Sequence, residues 1–326
     1  MLNVFMADRR GCLTKIEVAS DGSLPVEAVW LDLLAPTSEE ERQVEAMLGV
    51  GVPTREEMQE IEVSSRLYEE NGALYMTATV VARADTEHPE ASATSFILAG
   101  DRLVTVRYAE PQSFALFTTR CQRSPGPFTR GDAVLAGLLD ALIDRIADVI
   151  EHIGLEVDGI SHEVFEHPTT PRKSGDFQGI LRSLGRRGDL TSKVRESLVG
   201  IGRLLMFLGQ AGTTNTKTAK DLRTRLRTMT RDVRSLTEHA SFLSGKINFL
   251  LDATLGMINI EQNAIIKIFS VVAVVFLPPT LIASIYGMNF TFMPELAWPL
   301  GYPVAIALML GSALAPLLYF RRRGWL

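Results

Sequence analysis

Cysteine is almost absent. Cys12 and Cys121 are the only two in 326 residues, and they stand far apart in no metal-type spacing. That excludes a disulfide framework and points to a reducing compartment. Excess positive charge is lacking too: 33 Lys and Arg face 38 Asp and Glu, a formal net charge of −5. Without a basic face, no nucleic-acid partner is expected. There is no glycine-rich phosphate loop and no nucleophile–base constellation, so no enzyme activity and no cofactor are expected. The start, MLNVFMADRR, has no basic segment followed by an apolar core, so no signal peptide is expected. Charge itself is missing from two long stretches, 268–286 and 301–320, of 19 and 20 residues.

At about 1.5 Å rise per residue, either stretch spans roughly 30 Å of hydrocarbon as a helix. The segment between them is too short for a domain, so together they predict a transmembrane hairpin, with spans near 266–286 and 301–320. Lys267 opens the first span, and Arg321, Arg322 and Arg323 follow the second. The positive-inside rule then puts both ends in the cytoplasm and the 287–300 loop outside, in an inner (plasma) membrane. Tyr286, Trp298, Tyr302, Tyr319 and Trp325 stand near the span ends, as interfacial aromatics do. Residues 264–326 carry a net +3, which leaves −8 on the first 263, an acidic balance compatible with cation binding or simply with solubility.

The polar part has two textures. Residues 1–130 read as a cytoplasmic α/β domain. LNVFM, LTKIEV and AVWLDLL are strand-like, and TSEEERQVEAML has a capping Thr37 or Ser38 with acids in its first turn. Asn71-Gly72 between two strand-like runs is a hairpin signal, and Gly100-Asp101 repeats the design. Residues 131–263 read as a helical hairpin followed by a long stalk helix. After Gly131-Asp132, Leu135, Leu138, Leu139, Leu142, Ile146, Val149 and Ile153 keep helical spacing, with Asp140, Asp144, Asp148 and Glu151 on one face. Such a face can hold divalent ions or simply meet solvent. HEVFEH is not a zinc helix: His162 and His167 are five apart, about 140° around a helix.

From Leu222 the chain gives Leu226, Met229, Val233, Leu236, Ala240, Leu243, Ile247, Leu250, Thr254, Met257 and Glu261, alternating steps of four and three. No proline interrupts until Pro278, so one helix is expected from about Thr216 into the first span, 70 residues and about 105 Å long. It needs neighbours: either the preceding helices or further copies of itself.

Inside the first span, Ser270, Thr280 and Ser284 are the hydroxyl side chains, and Asn263 just precedes it. At about 100° per residue from Ser270, Asn263 falls at about +20°, Thr280 at about −80° and Ser284 at about −40°. All four fit one arc of about 100°, shared by Ile266, Ala273 and Leu277. A polar arc on a span meets protein or water, so it serves as packing glue or as a pore face built by several copies. The tip, SIYGMNFTFMPEL, places Gly287 where a helix C-cap tolerates αL. It adds Asn289 as a neutral oxygen acceptor and Glu295 behind it. A ring of such oxygens suits hydrated Mg²⁺, which dehydrates reluctantly, and a carboxylate at the mouth concentrates cations.

YGMNF followed by MPEL, between a proline-bearing span and a second span with a basic tail, resembles the CorA family of magnesium and cobalt transport proteins. The resemblance extends over the stalk and helical hairpin, and more loosely over the N-terminal part. It implies an α+β membrane protein assembled as a homopentamer, with the first span of each copy lining a pore and the second facing lipid. Mg²⁺ (with Co²⁺ or Ni²⁺ also possible cargo) is then both the transported ion and the regulator that closes the pore from inside. Gly287, Met288 and Asn289 match the family's selectivity motif, Asn263 its cytoplasmic-end asparagine and Thr280 its pore threonine. Ile266, Phe269 and Leu277 fall where the family places apolar gates, although Phe269 lies just off the arc, at about −100°. The regulatory acids do not align: Thr228, Met229 and Asp232 stand near the expected place, and Asp232 is the candidate. Two other readings remain. A proton-coupled Zn²⁺ transporter of the ZntB type usually replaces the middle Met of the motif, and Met288 argues against it. A membrane-tethered scaffold would need neither the polar tip nor the polar arc.

Overall fold

The computed structural model describes residues 1–8, 11–16, 24–123, 126, 128–165, 174–211, 217–289, 293–294 and 298–324. Glu295, His167 and Trp325 lie outside them.

The N-terminal part is a seven-stranded mixed sheet in the order β2-β1-β3-β7-β6-β5-β4. The strands are β1 (Leu2–Ala7), β2 (Leu13–Ile16), β3 (Ala28–Leu34), β4 (Leu67–Glu70), β5 (Ala73–Ala82), β6 (Glu90–Ala99) and β7 (Arg102–Arg107). Both turn signals hold. Asn71 and Gly72 adopt φ of 50° and 76° between β4 and β5, the double left-handed geometry of a tight hairpin. Gly100, at φ 59°, turns β6 into β7. Thr37 is the cap of helix α1 (Ser38–Leu48), in a reciprocal capping box with Glu40. Short helices α2 (Arg55–Gln59) and α3 (Val63–Arg66) follow, and α4 (Gln112–Arg123) comes after β7.

One sheet face carries an apolar core that includes Val4, Leu31, Leu33, Val104 and Val106. The other face buries a polar network. Arg107 grips both oxygens of Asp32 at 2.9 Å, and the Thr105 hydroxyl and the Asn3 amide donate to the same carboxylate. The Trp30 indole donates to Thr105, and Phe114 of α4 lies under the guanidinium. Asp32 and Arg107 are 2% and 8% exposed, so each charge depends on the other. Arg107→Met is expected to leave Asp32 buried and unpaired and to destabilise this part by about 3–5 kcal/mol. Chemical denaturation followed by tryptophan fluorescence checks it, and an unchanged midpoint contradicts it.

Three long helices follow: α5 (Gly131–Phe165), α6 (Ser174–Ala211) and α7 (Lys217–Tyr286). Gly131 opens α5 because the backbone of Arg102 and Leu103 passes within 2.4–2.5 Å of where a Cβ would stand. The expected stalk seam is buried through Leu226, Met229, Val233, Ala240, Leu243, Ile247 and Leu250. Its partners are the preceding helices, approached at glycines: Gly154 of α5 faces Leu243, and Gly188 and Gly202 of α6 face Ile247 and Val233. Arg225–Asp140 and Lys246–Asp158 ion pairs join α7 to α5, and Arg187–Glu156 joins α6 to α5. Cys121 is buried in α4, and burial pushes its thiol up to about 12, so it stays a protonated, apolar filler.

The chain divides into two compact units, 1–172 with 178–251 and 173–177 with 252–326. α7 contributes to both, and the second also holds α8 (Gly301–Arg322).

Candidate ion pathway

Among the described residues, two helices are long and apolar enough to cross a membrane, α7 and α8. α7 passes through Pro278 and Pro279 without losing helical assignment and ends at Tyr286. Neither proline has an N–H to return to the carbonyls of Val274 and Val275, which locally loosens the ladder. The Thr280 hydroxyl donates to the Phe276 carbonyl at 2.5 Å and keeps its lone pairs for a further partner.

The members of the proposed polar arc are exposed on the single chain, as is most of this span. Asn263, Ser270, Thr280 and Ser284 are all exposed, as are Ile266 (61%), Phe269 (71%) and Leu277 (66%). The buried members of the two helices lie elsewhere. Val271, about 100° from Ser270, and Ala305 of α8 are each nearly buried. The Lys267 ammonium donates to the Gly324 carbonyl beyond α8, from the edge of the arc at about +60°. Leu281, at about +20°, joins the apolar members of the arc.

The same angular rule finds residues that the charge-free window hid. Asp252, Asn259 and Gln262 fall at about 0°, −20° and −80° from Ser270, and all three are exposed. The polar face therefore starts about three helical turns before Asn263. The signal was available: it needed the wheel to be carried back beyond the uncharged stretch.

At the tip, the Gly287 N–H donates to the Ala283 carbonyl at 2.9 Å and the Met288 N–H to the Ile285 carbonyl at 3.3 Å. Gly287 is not among the positive-φ residues, so αL tolerance is not why glycine stands there. A Cβ would instead meet the Ala283 carbonyl at 3.1 Å, tighter than ordinary contact. Asn289 is exposed, has no positive φ, and makes no hydrogen bond among the described residues. Its carboxamide is committed to nothing among the described residues.

Asp232 is exposed on α7 within electrostatic reach of α5. Burial pushes the Asp144 carboxyl up, and Asp140, Asp148 and Asp232 push the same way, against Arg120. Among the described residues, no three carboxylate, imidazole or thiol groups converge closely enough to hold a metal ion within one chain.

These two candidate spans, one with an exposed polar row, fit a membrane protein of the transport class. The profile of the family described as CorA-like Mg2+ transporter protein matches residues 26–322, and the chain belongs to that family. It is 38% identical to the magnesium transport protein CorA of Salmonella typhimurium over 326 residues, all of both chains. The identity to the CorA of Escherichia coli strain K12 is the same, again over the whole of both. The fold is similar to the complete structure of the CorA magnesium transporter from Methanocaldococcus jannaschii, with a TM-score of 0.73 at 18% identity, covering 100% of this chain and 99% of that one. The cytoplasmic domain of ZntB from Vibrio parahaemolyticus is more distant, with a TM-score of 0.57 at 8% identity over 79% of this chain.

Proposed function

We propose that this protein is a homopentameric channel that takes up Mg²⁺ across the inner membrane, with both termini in the cytoplasm and the second span facing lipid. The observation that carries the reading is the polar face of α7, exposed from Asp252 to Ser284 and left uncovered by α8. A lone span with such a face is costly in lipid, and copies around an axis would turn the face to water. Asp252, Asn259 and Asn263 then supply oxygens at the cytoplasmic end, and Thr280, Ser284 and the Gly287-Met288-Asn289 tip supply them at the outer end. Ile266 and Leu277 interrupt the polar row with bulky apolar rings, which dewet when narrow and serve as gates. Phe269 flanks them. Glu295 adds charge at the mouth.

Carboxamide, hydroxyl and carbonyl oxygens can hydrogen-bond the waters of hydrated Mg²⁺ without stripping them, which lets the ion leave again. Co²⁺ and Ni²⁺ are further cargo on the same argument. Reconstituted protein should give a mass of five copies by light scattering and fill Mg²⁺-free liposomes with Mg²⁺. A monomeric mass, or no influx, contradicts the reading.

Regulation by internal Mg²⁺ would use acids brought together from two copies, since one chain offers no closed set among the described residues. Asp232, beside the acidic face of α5, is the candidate. An ion bound only to the closed assembly stabilises it by mass action. Millimolar Mg²⁺ is therefore expected to slow proteolysis of the cytoplasmic part several-fold, and Asp232→Asn to weaken that protection. A digestion pattern unchanged by Mg²⁺ would remove feedback from the account.

A further inference from the structure

Two charged stripes in the first compact unit share one spacing. On α5, Asp140, Asp144, Asp148 and Glu151 follow steps of four, four and three. On α7, Arg223, Arg227, Arg231 and Arg234 follow the same steps. Each set fits an arc of about 80° and a rise of about 16 Å. Each lies off its helix's buried side, which holds Leu142, Ile146 and Val149 on α5 and Leu226, Met229 and Val233 on α7. Asp144, Asp148, Arg227 and Arg231 are exposed, and no ion pair to these four is found among the described residues.

The geometry points to a contact between copies: we infer that the arginine face of α7 seats on the acidic face of α5 in the neighbouring copy. Asp144 would meet Arg227 and Asp148 would meet Arg231. The inference rests on the ring assembly proposed above. A closed ring of identical chains joins two different faces of the same chain, so the two faces must complement each other. Direction agrees as well. Asp140 pairs with Arg225 and Asp158 with Lys246 inside one chain, so α5 and α7 run parallel. A rotation axis running along these helices keeps α5 of one copy parallel to α7 of the next, and the matched steps then place Asp144 against Arg227 and Asp148 against Arg231 in register. Burial, and after it the neighbouring carboxylates, raise the Asp144 carboxyl, and incoming guanidinium groups would offset the like-charge part.

The full-length protein carrying Asp144→Cys and Arg227→Cys is treated with a short bismaleimide in mild detergent. A ladder from dimer to pentamer on denaturing gels is expected, and Asp144→Cys alone should give none. A pentamer by light scattering that yields no ladder, or only an internal link, overturns the inference while leaving the channel reading intact. A wild-type monomer overturns both. A charge exchange gives a second test that does not depend on cross-linking. Arg227→Glu with Arg231→Glu, and Asp144→Lys with Asp148→Lys, should each reduce the pentamer fraction at low salt several-fold. All four changes together should restore it. Failure of the combined variant to recover relative to either pair, with helicity by circular dichroism unchanged, contradicts the contact. Recovery only when Mg²⁺ is added would assign the acidic face to the ion instead and also contradict it.

Discussion

Asn289→Asp is expected to abolish most Mg²⁺ uptake without disturbing assembly. The change keeps the side chain's size but places up to five negative charges in one ring. Carboxylates strip water from a divalent ion and hold it directly, so release slows and conduction falls. Asn289→Ala removes the acceptor and should lose selectivity or uptake outright. The competing account makes Asn289 a turn residue, kept for αL tolerance or a local hydrogen bond. Two observations weigh against that account: Asn289 has no positive φ, and its side chain makes no hydrogen bond among the described residues. The accounts part on Asn289→Gly, which a turn would tolerate. If that variant assembles and carries Mg²⁺ at the normal rate and selectivity, the filter assignment is wrong.

Leu277→Ser should open a leak. In a ring, five leucine side chains 66% exposed on the single chain would face one another across a narrow, dry constriction. A hydroxyl at each position lowers the cost of wetting it. Flux under closing conditions, with millimolar Mg²⁺ inside, is expected to rise by tenfold or more, whereas flux under opening conditions changes little. Folding should survive, because Leu277 is exposed on the single chain. Unchanged closed-state flux would make Leu277 a packing residue between spans.

Some of this was legible before any coordinates. The hairpin turns at Asn71-Gly72 and Gly100-Asp101 follow from backbone freedom at single residues, and the Thr37 capping box is equally local. The unbroken run of α7 follows from periodicity and the absence of proline before Pro278. The strand order was not legible. β3 and β7 are parallel neighbours whose paired residues stand 73 apart, and no local signal specifies that pairing. The buried Asp32–Arg107 pair belongs to the same class, since each residue alone reads as a surface charge. α4 was missed as a distinct helix because its apolar positions, Phe114 and Phe117, make sense only against Trp30 on the sheet.

The ion pathway divides the same way. The polar arc came from angular arithmetic that any regular helix obeys, and α7 is one unbroken helix through this stretch. The reason for Gly287 did not come from sequence, because steric approach to the Ala283 carbonyl is visible only once the helix end is built. Asp252, Asn259 and Gln262 escaped because charge in the surrounding stalk masks a face that the span alone displays.

The measurement that tests the central claim most directly is ion uptake into proteoliposomes, comparing Mg²⁺, Co²⁺ and Zn²⁺ with and without a proton gradient. A passive Mg²⁺ channel predicts Mg²⁺ influx down its own gradient, unaffected by pH difference and reduced by Mg²⁺ inside. Zn²⁺ uptake that requires an acidic exterior, with no Mg²⁺ influx under any condition, would contradict it.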